Sequence, residues 1–132
     1  MNKNLNRNIF FHVHALKKVS RITRSIINLL EDRKVDEAIT QINNRERLLN
    51  IVFELHRSIE SGISNTNQFL NDDYEFLKAW ARDVETWSNN QAIQNEEIEV
   101  MLVSIKKETT AEIASIFDKK SRHKGYDLSN LK

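Results

Sequence analysis

Four imidazoles are the groups in this chain best suited to chemistry near neutral pH: His12, His14, His56 and His123. A metal held on one helix asks for two of them four residues apart with a carboxylate in support. His12 and His14 are two apart and so face different ways, and His56 and His123 stand alone. His12 lies beside the apolar row between Ile9 and Leu16, and His56 has a like place further on, so both read as packing residues. There is no cysteine, which removes disulfides, thiolate metal sites and thiol catalysis. The acid pairs Asp72-Asp73 and Glu96-Glu97 fall where predicted helices begin, where negative charge complements the helix dipole. With glycine only at 62 and 125 there is no phosphate-cradling loop, and no serine nucleophile arrangement is present. The expectation is a protein with no catalytic residues, no cofactor and no metal.

His14 differs from the other three in standing on a line of cations, with Lys17 and Lys18 one turn beyond it. The run His14-Ala15-Leu16-Lys17-Lys18 resembles the His-x-Leu-Lys-Gly signature of histidine phosphotransfer domains, with Lys18 in place of the glycine. That resemblance implies His14 as a phosphoacceptor, its phosphoryl charge screened by the neighbouring ammonium groups. It is carried as an alternative.

The element that must position His14 is written plainly. Leu5, Ile9, Val13, Leu16, Val19, Ile26 and Leu30 recur at three and four, one stripe of an α-helix over about 5–30. Lys3, Arg7, Lys17, Lys18, Arg21 and Arg24 follow their own line, and no acid appears before Glu31. Phe10 and Phe11 are adjacent, about 100° apart on a helix, so one of them is expected at the edge of a groove. A second helix, opened by Asp36 and Glu37, carries Val35, Ile39, Ile42, Leu49, Val52 and Ile59; its seam is interrupted at Arg45-Glu46-Arg47, and Gly62 reads as its C-cap. A third has a heptad seam of Leu70, Leu77 and Val84, with Trp80 and Trp87 beside it. Ser88-Asn89-Asn90-Gln91 then weakens helical preference, as a break or a kink. A fourth, capped at Asn95, carries Ile98, Ile105, Ile113, Ile116 and Phe117.

Together these features predict an all-α fold, an antiparallel bundle of three to four long amphipathic helices over 1–118, with a flexible basic tail at 119–132. Absence of proline and a charged fraction of 30% agree with helices that each bury a single stripe. No run approaches a membrane span, and a cytoplasmic location follows by default. The net charge is only +1, yet the first thirty residues hold six bases and no acid, while 71–100 hold eight acids and two bases. Either the two stretches attract one another inside the bundle, or they form two docking surfaces of opposite sign.

In the order of its features the chain resembles the flagellar export chaperones of the FliT/FlgN type. The resemblance is carried by Leu29–Ile39 with Asn44-Arg45-Glu46-Arg47-Leu48-Leu49, and by Glu97–Leu102, Lys106-Lys107, Glu112-Ile113 and Phe117, then a basic run ending at Tyr126. It implies a chaperone that binds the amphipathic C-terminal helix of a filament-cap or hook-filament junction subunit and delivers it to a type III export apparatus. Leu70, Leu77, Trp80, Val84 and Trp87, with Phe10 and Phe11, are the expected client groove; Ile105, Ile113, Ile116 and Phe117 would form a regulatory helix that covers it. A coiled-coil homodimer is a further possibility, and docking of the basic first helix on acidic lipid or nucleic acid ranks last.

Overall fold

A computed structural model describes residues 1–123, with side chains through 119. It contains three helices, α1 Lys3–Glu31, α2 Val35–Ser64 and α3 Asn71–His123, and no strand among the described residues. The chain divides into two compact units, Met1–Ile98 and one beginning at Glu99. The all-α fold of long helices is as expected, and the first unit holds α1, α2 and α3 as far as Ile98. Among the described residues, the second unit holds only the later part of α3. The basic tail expected from 119 is overtaken by α3 as far as His123, and its remainder lies outside the described residues.

Local chemistry sets the helix ends. The Asn2 side chain caps α1 by accepting from the Leu5 N–H at 2.8 Å. The α1–α2 turn closes when the Lys34 N–H donates to Leu29 and the Arg33 N–H to Leu30, at 2.8 and 3.1 Å, with Arg33 at φ 60. This is the Schellman arrangement, with an arginine where glycine is usual. Asp36 and Glu37 occupy the first turn of α2 as expected. Gly62 is not its cap. The helix continues to Ser64, and a Cβ at Gly62 would lie 3.1 Å from Leu5 Cδ1, so the glycine serves a close approach of α2 to α1. The Leu70 N–H donates to the Asp73 carboxylate at 3.2 Å, half of a capping box at the start of α3.

Register within the first unit follows from its inter-helix contacts. Leu5 meets Gly62, His12 meets His56 and Thr23 meets Arg45, so α1 and α2 are antiparallel. Met1, His12, Leu16 and Thr23 meet Asp73, Trp80, Trp87 and Gln91, an offset of 68–72 that sets α3 parallel to α1. One apolar cluster joins Leu5, Ile9, Ile59, Leu77 and Trp80; another joins Ala15, Leu16, Val19 and Val52, with Trp87 against it.

The expected interruption at Ser88–Gln91 does not break the chain, and the predicted third and fourth helices are one. Ser88, Asn89 and Asn90 are exposed, where water satisfies their side chains, while Gln91 is buried and bonded to both neighbouring helices. A deficit of a few tenths of a kcal/mol per polar residue is small beside the anchoring of Trp87 and Ile98 on either side. Asn95 is therefore an interior residue, not a cap.

Candidate interaction surfaces

The seam chosen from the sequence as a client groove is occupied by the bundle itself. Leu77 and Trp80 are buried against α1 and α2, Val84 and Trp87 are half-buried on the same contact, and Leu70 alone stands out, 75% exposed. The indole of Trp80 donates to His12 Nδ1 at 3.2 Å, and that of Trp87 to the Leu16 carbonyl at 3.0 Å. Heptad spacing marks a face to be buried, and α1 and α2 are what bury it.

His12 is fully buried with its ring 5.6 Å from His56 and 5.4 Å from Trp80. Because Nδ1 accepts the indole proton, the neutral ring carries its own proton on Nε2, which has no partner. Burial, and secondarily the charge of His56, pushes the His12 pKa down to about 4. His56 lies at the edge of this cluster and pairs with Glu60 one turn on.

About three turns along, a polar layer crosses all three helices. Arg45 Nε donates to Thr23 Oγ1 and its Nη2 to Gln91 Oε1, both at 2.8 Å. The Thr23 hydroxyl lies 2.8 Å from both the Val19 carbonyl and Gln91 Oε1, with one proton to give. Each of these oxygens keeps a second lone pair, so the single proton is shared between the Val19 carbonyl and Gln91 Oε1. The Gln91 amide in turn donates to Gln94 at 3.1 Å. Burial lowers the Arg45 pKa and neighbouring Glu46 opposes the shift; the group stays charged, with no carboxylate at ion-pair distance among the described residues. The apparent seam break at Arg45 is thus an inward-facing residue, while Glu46 and Arg47 face water. Composition gave no signal for this layer; only the offset between helices assembles it.

The outer face of α1 is arranged as its spacing implied. Leu5, Ile9, His12, Leu16, Val19, Thr23, Ile26 and Leu30 are buried on one side. Lys3, Arg7, Phe10, Phe11, His14, Lys17, Lys18, Arg21 and Arg24 are exposed on the other. Phe10 is 59% and Phe11 48% exposed, so both rings project, where one had been expected at a groove edge. They touch edge to face at 5.9 Å, and Phe10 also packs on the His14 ring at 4.4 Å. None of the six cations pairs with a carboxylate among the described residues; Arg7 reaches only Asn4, at 3.5 Å. One charged contact joins α1's end to the acidic stretch, from the Met1 amino group to Asp73 at 3.3 Å. Attraction between the two charge blocks is therefore not what holds the bundle.

In the second unit Ile105 is half-buried, and Ile113, Ile116 and Phe117 are each about half exposed. Met101 and Leu102 extend their row. No group of three or more potential metal ligands occurs among the described residues, and no helix among them is long and apolar enough to cross a membrane. No family model, curated protein or solved structure matches the chain.

Proposed function

We propose that the protein is a non-enzymatic helix-binding protein that holds the amphipathic helix of another polypeptide along the later part of α3. The observation that carries this reading is the apolar row of that segment, in which Ile113, Ile116 and Phe117 are exposed and Met101, Leu102 and Ile105 half-buried. It runs about 24 Å along the helix axis, and a stripe of that form is matched by a second helix with anchors at the same three-and-four spacing. The finer reading is that of a cytoplasmic export chaperone whose client is the C-terminal helix of a filament-cap or hook-filament junction subunit, delivered to a type III export apparatus. It is supported by the resemblance of Leu29–Ile39 and Glu97–Phe117 to that family. In this version Ile105, Ile113, Ile116 and Phe117 hold the client directly, since Leu77 and Trp80 are engaged within the bundle.

The test is titration of the intact protein with synthetic peptides spanning such C-terminal helices. Binding should be lost in Ile113→Ser/Ile116→Ser/Phe117→Ser and kept in Phe10→Ala/Phe11→Ala. Equal affinity in the serine variant would reject the α3 row. Failure of every flagellar peptide to bind the unmodified chain would reject the client class.

A further inference from the structure

The proposed helix-binding row leaves the outer face of α1 without a task, and its composition is one-sided. Over the roughly 30 Å from Lys3 to Arg24 every ionisable group facing outward is a base or His14. None of the bases is neutralised by an ion pair among the described residues, and the opposite side of the helix is fully committed to the bundle. Unopposed cations in a line repel one another, and an external anionic surface removes that repulsion.

We infer that this face docks on an anionic lipid bilayer. A helix face laid along a plane brings its cations to the headgroup layer together. Phe10 and Phe11 select the bilayer over other polyanions. The rings are adjacent, outward and in contact with each other, with Arg7 before them and Lys17 and Lys18 after them. Two neighbouring rings flanked by cations form a wedge that enters the headgroup–acyl boundary while the bases stay at phosphate depth. A single-stranded nucleic acid would instead ask for rings spread along the cationic track, one per stacked base. Here no aromatic residue accompanies Lys17 to Arg24.

The test is flotation of the full chain with phosphatidylcholine vesicles, pure or containing a third phosphatidylserine, at low and raised salt. The chain should float with the anionic vesicles only, and raised salt should release it. Lys17→Gln/Lys18→Gln/Arg21→Gln/Arg24→Gln should weaken partitioning at least about tenfold with its helical signal unchanged, since each base near the surface contributes separately. Phe10→Ser/Phe11→Ser should weaken it while keeping the salt dependence. Ile113→Ser/Ile116→Ser/Phe117→Ser should float like the parent chain, which separates this face from the proposed client row. Equal binding to neutral vesicles, or indifference to the glutamine substitutions, would overturn the assignment. So would capture of a single-stranded oligonucleotide, or self-association abolished by the same substitutions, with no vesicle binding; these would give the face to nucleic acid or to the acidic α3 of a second copy.

Discussion

His12 concentrates more consequence than any other residue. It is a buried ring that accepts from Trp80, neighbours His56 and carries an unpartnered N–H. In the unfolded chain it titrates near 6.5, and in the fold near 4. Between those values the unfolded chain takes up a proton that the folded one refuses, so stability falls as pH drops through that window and levels off below it. The loss should amount to roughly 2–3 kcal/mol, read as a falling urea midpoint between pH 6.5 and 4. His12→Leu should flatten that slope while leaving the Trp80 N–H without an acceptor, at a cost of about 1–3 kcal/mol near neutrality. A slope retained by the leucine variant would move its origin to the carboxylates. Arg33 is the other residue held in an unusual state, with positive φ at the end of α1. Arg33→Gly should raise stability by about 0.5 kcal/mol, the left-handed penalty removed being partly offset by loss of its 3.1 Å bond to the Leu30 carbonyl.

Between elements, the Thr23–Arg45–Gln91 layer fixes how α2 and α3 slide along α1. A guanidinium without a carboxylate is held there by neutral acceptors alone. Gln91→Ala should therefore cost about 1–3 kcal/mol, because one arm of a half-buried cation loses its acceptor. Replacing the set by Thr23→Val/Arg45→Met/Gln91→Leu should recover much of that loss in chemical denaturation, while broadened amide resonances would report a less unique register. Undiminished stability in the single variant would mean that water reaches Arg45. The stripe of α1 and the core of that of α3 were legible in the sequence, since Leu5 to Leu30 and Leu77 to Trp87 obey helical spacing. In α2 Val52 and Ile59 are buried as their spacing implies, while Ile39, placed on the same seam, is 46% exposed. Continuity of α3 was not legible. Ser88 to Gln91 reads as a break when taken alone, and only the Thr23 hydroxyl and the Arg45 guanidinium on other helices give Gln91 a reason to be helical. For the same reason the two tryptophans looked available. Spacing tells that a face is apolar and is silent on which surface reaches it first.

At the scale of the whole molecule, the two units differ in how much they bury. The first holds both apolar clusters; from Glu99 onward no residue with a described side chain is buried. Ending the chain after Ile98 should therefore shift the denaturation midpoint little, while the helical signal falls by the share that α3 loses. A large drop would show that the first unit leans on residues beyond it. The basic face of α1 and the apolar row of later α3 were both visible as sequence patterns, and the structure separates them onto different units. What each one meets is set by partner chemistry, which no intramolecular contact encodes.

Trp80 and Trp87 are the chain's only indoles, and both donate across the boundary between α3 and α1. Red-edge excited emission from the intact protein is consequently a gauge of how α3 packs on α1 and α2 within the first unit. Protonation of His12 should quench Trp80, separation of the helices should shift both spectra to longer wavelength, and events confined to residues beyond Ile98 should leave the light unchanged.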